Sequence, residues 1–196
     1  AHGTPRPDIP LHKASQWLSN PIYDISPFSD RFHYFSGISS HLNTNGIETY
    51  TSRVSFTGSL ENRSADLKKF ILSILEKTGH RKVHIIGHSM GGLDARHMIT
   101  LGGMAGKVAS LTTIGTPHKG AYIIEWALEN GGGKVIEVLN SLFSTDGFHN
   151  LTTDYCKNLN ERIRHRESKN SVRYQTYSCS QDLEQIYLPL QMTWKV

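Results

Sequence analysis

The sequence predicts an α/β fold in which a mostly parallel sheet carries helices on both faces. Two observations and one general rule predict it. Segments of helical periodicity alternate with short runs rich in apolar and β-branched residues along residues 34–114. Residues 83–86 form a short, largely apolar run, which is typical of a strand buried on both faces. Strands that alternate with helices in this way pair in parallel, because each helix carries the chain back to the same edge of the sheet.

The first elements follow an opening segment without periodicity. Residues 1–30 are rich in Pro, Ser and Asp and predict loop. Residues 34–42 carry apolar side chains at helical spacing and predict a helix that ends at Gly46. Residues 47–54 are rich in Thr, Tyr and Val and therefore predict a strand.

The clearest helix lies between Ser64 and Gly79. Ser64 is a suitable N-cap, and Asp66 in the first turn opposes the helix dipole. From Leu67 onward, apolar residues fall at i, i+3, i+4, i+7 and i+8 and form one stripe. The later elements are expected in this order: a helix over 91–100, a strand over 108–114, apolar helical segments over 122–128 and 135–143, a polar helix over 151–166 and a strand over 172–178.

Composition and charge exclude several classes of protein. The formal charge of +4 favours mild attraction to anionic surfaces, but no zinc-finger, helix-turn-helix or RNA-binding pattern is present, so no nucleic-acid partner is expected. No apolar run approaches the roughly 20 residues that a membrane-spanning helix needs. Cys156 and Cys179 are too few for a disulfide scaffold, and one bridge or two thiols both remain open. The chain starts at Ala1, and we expect it to be part of a longer protein.

One motif carries chemistry. Gly87, His88, Ser89, Met90 and Gly91 match Gly-x-Ser-x-Gly, between a predicted strand and a predicted helix. That context is typical of a nucleophile elbow, a turn so tight that the serine takes a strained conformation and small flanking residues let the backbone pass close by. The serine hydroxyl is then exposed above the sheet, and the free N–H groups of the helix, the Met90 N–H among them, can stabilise an oxyanion.

The chain resembles the lipase branch of the α/β-hydrolase superfamily, the bacterial and fungal triacylglycerol lipases. Three stretches carry the resemblance: residues 83–96 around the motif, residues 111–120 with Gly-Thr-Pro-His-Lys-Gly, and residues 34–38. It implies one α/β-hydrolase domain over residues 1–196, incomplete at both ends. It also implies hydrolysis of acylglycerols or other lipid esters, with Ser89 as the nucleophile that forms an acyl-enzyme.

The resemblance also assigns the second oxyanion donor and the cofactors. His2-Gly3 is similar to the His-Gly pair of the family, so the backbone N–H of Thr4 would complete the oxyanion hole. The chemistry needs no metal or organic cofactor. Some relatives carry a structural calcium, whose ligands would lie beyond Val196.

The serine also requires a base and an acid, which follow it along the chain in this fold. Four histidines come after Ser89: His97, His118, His149 and His165. Two lie on predicted helices and one in a turn where the family has a structural residue. Asp146 and His149 form the only candidate dyad, but they precede the strand that should carry the acid. We therefore expect both triad partners beyond residue 196.

Residues 121–150 lie where lipases of this kind carry a lid. The two apolar segments within them are either core helices or a lid that makes transient contact with a lipid–water interface, with glycines 131–133 as its hinge. Two alternatives to a lipase remain. The same elbow serves lipid acyltransferases, and a non-catalytic α/β-hydrolase could act as a binding module.

Overall fold

A computed structural model of the chain describes residues 37–52, 54, 58–130, 147, 149–178, 180 and 182–185. Helices α1 to α5 span Ile38–Thr44, Leu60–Thr78, Met90–Thr100, Tyr122–Asn130 and Thr153–Lys169. Strands β1 to β3 span Val83–His88, Val108–Ile114 and Arg173–Tyr177. Short 3-10 turns occupy Ala105–Lys107 and Leu183–Gln185.

The described strands form a parallel sheet, as the sequence predicts. Their order is β1-β2-β3, and both neighbouring pairs are parallel. In the register of the sheet, Ile85 pairs with Leu111, and Leu111 pairs with Tyr174. The expected strand over 108–114 is confirmed with the same bounds, and those over 83–86 and 172–178 are confirmed with ends that differ by one or two residues.

Helices α2 and α3 cover one face of this sheet. Ile85 and Leu111 are buried and belong to a core cluster with side chains of both helices. The next residue of β1, Ile86, is 46% exposed. Within the described part of the chain β1 is therefore covered on one face, whereas its apolar run predicts burial on both.

A second core cluster joins α2, α3, α4 and α5. Its buried members are Leu60, Met90, Leu93, Ile124, Leu151, Cys156, Leu159 and Ile163. Met90, the residue after Ser89, thus begins α3 and also anchors it to three other helices. Within the described residues Cys156 is a free thiol, and burial raises its pKa; Cys179 lies outside them.

Helix α2 begins five residues earlier than the sequence predicts. Its N-cap is Ser59, whose hydroxyl accepts a hydrogen bond from the Asn62 N–H at 3.3 Å. Ser64, the expected cap, is buried inside the helix, where its hydroxyl lies 2.8 Å from Nδ1 of His97. Leu60 extends the apolar stripe backward and is fully buried, which favours the earlier start. The predicted end is confirmed, because Gly79 closes the helix with φ of 71°.

The strand predicted over 47–54 is wrong, since its described residues adopt no regular structure. Here a side chain competes with the ladder of a sheet. Oδ1 of Asn43 accepts hydrogen bonds from the Thr49 N–H at 3.1 Å and from its hydroxyl at 2.9 Å. These bonds fold the segment back onto α1, which ends in a turn where Gly46 has φ of 79°.

None of the helices in the described part of the chain is long and apolar enough to cross a membrane.

Candidate active site

The turn between β1 and α3 has the conformation that the Gly-x-Ser-x-Gly motif predicts. We call residues 87–91 the elbow. Ser89 has φ of 52° and ψ of −133°, and it is the only non-glycine residue with positive φ in the described ranges. Such a conformation costs about 1–3 kcal/mol and persists only where the surroundings hold it in place. The backbone strain therefore falls on the residue whose hydroxyl the motif singles out.

Glycines allow the close packing that this turn needs. A Cβ at position 87 would lie 2.9 Å from Cα of Gly92 and 3.1 Å from the carbonyl oxygen of Gly91. Position 92 is tighter still, because a Cβ there would lie 2.2 Å from Oγ1 of Thr116. The motif predicts close approach at Gly87 and Gly91; the structure gives it at Gly87 and, one residue beyond the motif, at Gly92.

The backbone of Ser89 is held from three sides. Its N–H donates to the carbonyl oxygen of Ile114 at 3.0 Å, which ties the turn to the end of β2. Its carbonyl oxygen accepts from the Gly92 N–H at 3.1 Å and from the Thr116 hydroxyl at 2.8 Å. Its own side chain does not cap α3, and the residue is partly exposed.

Met90 occupies the first position of α3. Its side chain is fully buried, so the backbone at this point is fixed by the core. An N–H group in the first turn of a helix has no acceptor within the helix and lies at the positive end of the helix dipole. Position 90 therefore has the backbone chemistry of an oxyanion donor. Thr4, the expected second donor, and the preceding His2 and Gly3 lie outside the described residues.

His88 precedes the serine. It is partly buried, and this burial lowers the pKa of its imidazole. Burial therefore disfavours a positive charge on this side chain of the elbow.

A turn after β2 lies against the elbow. We call residues 115–120 the β2 turn. It begins at Gly115, which has φ of 55° and donates its N–H to the carbonyl oxygen of Tyr177 at the end of β3. His118 in this turn contacts Oγ1 of Thr113 through Nε2 at 2.9 Å and Nη1 of Arg96 through Nδ1 at 3.1 Å.

The bonding of His118 defines its tautomer. A guanidinium group only donates, so Nδ1 of His118 accepts from Arg96, and Nε2 carries the proton that it donates to Thr113. Burial first, and then the positive charge of Arg96, lower the pKa of His118 to about 4. This histidine is a neutral structural group, in line with its position in the Gly-Thr-Pro-His-Lys-Gly stretch.

The other three histidines that follow Ser89 lie in surroundings that differ from one another. His97 is buried against the hydroxyl of Ser64, and burial lowers its pKa. His149 is exposed and makes an edge-to-face contact with Tyr155 at 5.7 Å. His165 is exposed on α5. Asp146, the other half of the candidate dyad, lies outside the described residues.

A buried ion pair that no motif predicts supports α3, which we call the elbow helix because it begins within the elbow. Arg63 and Asp94 are both 0% exposed, and Nε of Arg63 donates to the two Asp94 oxygens at 3.0 and 3.2 Å. Nη1 of Arg63 also donates to Oδ1 of Asn150 at 3.3 Å. Burial raises the pKa of Asp94 to about 6, although the charge of Arg63 opposes the rise. The only sequence signal is that Arg63 falls on the apolar stripe of α2, three residues after Leu60.

A second arginine links the elbow helix to α5. Arg96 donates to both carboxylate oxygens of Glu167 at 2.8 Å and to Oδ1 of Asn160 at 2.9 Å. The amide of Asn160 in turn donates to the His118 carbonyl oxygen at 2.8 Å. A cleft of about 540 Å³ beside this network is lined mostly by charged side chains and does not include Ser89, so it is not an acyl pocket.

The described start of residues 121–150 is packed into the core. Ile124 of α4 is 1% exposed, and the Ala121 N–H donates to the Leu151 carbonyl oxygen at 2.8 Å. Oε1 of Glu125 accepts hydrogen bonds from the backbone and the hydroxyl of Thr153 at the start of α5. The helical segment expected over 135–143 and the glycines 131–133 lie outside the described residues.

Comparisons with known proteins show which family the chain is similar to. A family model described as the PGAP1-like alpha/beta domain matches residues 51–174. Triacylglycerol lipase 2 of Saccharomyces cerevisiae is 32% identical over 157 residues, which are 75% of this chain and 46% of the yeast protein. A triacylglycerol lipase of Vibrio cholerae is 39% identical over 92 residues, 47% of this chain and 29% of that protein. The chain therefore spans less than half the length of these relatives.

A solved structure shares the fold. The mature form of a Bacillus licheniformis lipase superposes with a TM-score of 0.62 at 21% identity, covering 76% of this chain and 59% of that one. A fold of this kind places the end of a parallel strand, here β1, at a turn into a helix.

Proposed function

This chain belongs to an alpha/beta-hydrolase lipase family, that of the PGAP1-like alpha/beta domain, and on that premise we propose that it carries the nucleophile of a serine lipase or carboxylic ester hydrolase. The observation that supports the proposal most directly is the conformation of Ser89. A strained, partly exposed serine between a parallel strand and the start of a helix is the arrangement that acyl transfer needs.

The proposed reaction is acyl transfer to water. The Ser89 oxygen attacks the ester carbonyl, and its proton passes to a base and then to the alcohol as the ester bond breaks. The oxyanion of the tetrahedral intermediate is stabilised by the backbone N–H of Met90 and, as the resemblance implies, that of Thr4. Water then attacks the acyl-enzyme and releases the fatty acid.

We assign the base and the acid to residues outside the described part of the chain, beyond residue 196 as the resemblance implies. The surroundings of the four histidines that follow Ser89 do not support any of them as the base. His97 and His118 are bonded to other side chains, and His149 and His165 are exposed. None of these four shares a hydrogen bond with Ser89 in the described structure.

The proposed substrates are acylglycerols or other lipid esters, since the yeast and bacterial relatives are named triacylglycerol lipases. We assign residues 121–150 to a lid that contacts the lipid–water interface transiently. The bond of Ala121 to Leu151 and that of Glu125 to Thr153 at the start of α5 support a fixed base for such a lid.

The role of Ser89 can be tested in the full-length protein. Hydrolysis of a p-nitrophenyl ester and labelling by a fluorophosphonate are measured for the wild type, for Ser89→Ala and for Ser73→Ala. Ser73 is an exposed serine of α2 and serves as the matched control. We expect Ser89→Ala to lose labelling and at least about a thousandfold in kcat, because removing a triad member leaves only residual catalysis.

Substantial turnover in Ser89→Ala would refute the assignment. Product analysis in the presence of an acyl acceptor then distinguishes hydrolysis from acyl transfer between lipids. Release of free fatty acid as the main product supports the hydrolase, whereas a new ester as the main product overturns it.

A further inference from the structure

The strained backbone of Ser89 needs support from outside its own strand and helix. Its N–H is bound by Ile114 of the neighbouring strand, and its carbonyl oxygen accepts from Gly92 within the first turn of α3. The remaining bond, from the Thr116 hydroxyl to the Ser89 carbonyl oxygen at 2.8 Å, is the one supplied by a side chain. It joins positions 27 residues apart, so it connects the elbow to the β2 turn.

The position of the Thr116 hydroxyl is closely defined. Oγ1 and the methyl carbon of Thr116 would lie 2.2 and 2.8 Å from a Cβ at position 92, so only a glycine there lets the side chain approach. The carbonyl oxygen of Thr116 accepts from the His118 N–H at 2.9 Å. The backbone and the side chain of Thr116 are thus both held in place.

His118 connects this contact to the rest of the domain. Its imidazole lies between Arg96 of α3 and Thr113 of β2, at 3.1 and 2.9 Å. Arg96 is in turn fixed by its paired bonds to Glu167. The β2 turn is therefore attached to the elbow helix, the sheet and α5 by charged or polar groups with fixed geometry.

We propose that the Thr116 hydroxyl is a positioning group for Ser89, an inference that rests on the proposed role of Ser89 as the nucleophile. By holding the Ser89 carbonyl oxygen, it keeps the residue at positive φ and aims the serine oxygen and the following N–H at the substrate. Thr116 touches neither substrate nor reacting atoms. A positioning group of this kind affects kcat more than KM, because misplaced reacting groups slow the chemical step.

Two variants that differ only by the hydroxyl test the proposal. Thr116→Ser keeps Oγ and loses the methyl group, whereas Thr116→Ala loses both. In the full-length protein we expect Thr116→Ala to lower kcat about tenfold with KM within about twofold, and Thr116→Ser to keep kcat within about twofold of the wild type. Thr112→Ala, at a threonine of β2 whose hydroxyl instead donates to Gln175, is expected to match the wild type.

A second measurement does not depend on catalysis. Hydrogen exchange of the Ser89 amide reports the bond to Ile114, and we expect it to be about tenfold faster in Thr116→Ala than in Thr116→Ser, with similar melting temperatures. Equal kcat and equal exchange in the two variants would overturn the proposal. So would an equal loss of kcat in both, because the methyl group and not the hydroxyl would then be responsible.

The outcomes also separate this proposal from the proposed function. If the wild type hydrolyses no ester, the enzymatic role fails, and the exchange comparison alone decides whether the hydroxyl holds the elbow. If Thr116→Ala does not fold, Thr116→Val replaces it, since valine keeps the methyl group and removes the hydroxyl. An unchanged kcat and an unchanged Ser89 exchange rate in that variant overturn the proposal as well.

Discussion

Gly92 is the residue whose size most closely limits the geometry around Ser89. It lies on the inner side of α3, where Gly87 approaches its Cα and Thr116 approaches the place of a missing side chain. Glycine in a helix normally weakens it by about 1 kcal/mol relative to alanine. Glycine is nevertheless required here, because any Cβ at position 92 would push the β2 turn away from the elbow.

Gly92→Ala should therefore destabilise the protein, although alanine is the better helix former. The new methyl group would lie 2.2 Å from Oγ1 of Thr116, and overpacking of this kind costs about 1–3 kcal/mol. The control is Gly106→Ala, since a Cβ at position 106 meets nothing within 4 Å. Melting temperatures of the two variants check the prediction, and equal values for both would contradict it.

At the scale of elements, helix α4 is a fixed part of the segment assigned to the lid. Ile124 is buried in the same cluster as Met90, the residue that follows the nucleophile. Glu125 accepts from the N–H and hydroxyl of Thr153, which also places a negative charge at the positive end of α5. Any movement of a lid relative to the elbow would accordingly begin after these contacts.

The lid assignment predicts a dependence on the physical state of the substrate. The rate of the full-length protein on a sparingly soluble ester should rise abruptly as the ester passes its solubility limit, because an interface binds the apolar side of an opened lid. Initial rates across that limit provide the measurement, and a fully soluble short-chain ester provides the control. A smooth saturation curve through the limit would contradict a lid.

Elements with purely local signals could be predicted from the sequence, and those decided by side-chain competition could not. The bounds of β2 follow from its own residues, and the glycine at the end of α2 marks that helix end correctly. The strand over 47–54 is wrong because Asn43, which lies outside the predicted segment, binds the backbone of Thr49. The start of α2 is misplaced because Ser59 and Ser64 are both suitable caps, and only burial decides between them.

The same distinction between local and long-range signals applies to the candidate site. The conformation of Ser89 was predictable because a five-residue motif encodes it. The bond from Thr116 and the ion pair of Arg63 with Asp94 were not, because they join residues 27 and 31 positions apart. In a single sequence, the one sign of such a pair is a charged residue on the apolar face of a helix.

For the whole molecule, buried titratable groups make stability depend on pH in two opposing directions. Burial lowers the pKa of His88 and His97, and burial with the charge of Arg96 lowers that of His118 to about 4. The contribution of a group whose pKa is lowered on folding is present above its unfolded value of 6.5 and is lost as pH falls through its folded value. These histidines therefore favour the folded state at neutral pH and weaken it on acidification.

Asp94 acts in the opposite direction. Its pKa is raised from 3.8 to about 6 on folding, so the folded chain binds the proton more strongly than the unfolded chain. Its contribution to stability is fully present below pH 3.8 and is lost as pH rises through about 6. Over that range it offsets part of the gain that the histidines provide.

A charge-free replacement of the ion pair isolates this contribution. In the double variant Arg63→Met with Asp94→Leu the titrating carboxyl is absent, and such replacements of buried pairs are often neutral or stabilising by about 1–4 kcal/mol. We therefore expect the free energy of unfolding of the double variant, measured in urea, to increase relative to that of the wild type as pH rises from 4 to 7. The single variant Arg63→Met is the control, because it leaves Asp94 buried without its partner and should cost about 3–5 kcal/mol near neutral pH. A constant difference in the free energy of unfolding between the double variant and the wild type across this range would contradict the prediction. It would mean that Arg63 holds the Asp94 pKa at its unfolded value, because the attraction within the pair balances the cost of its burial.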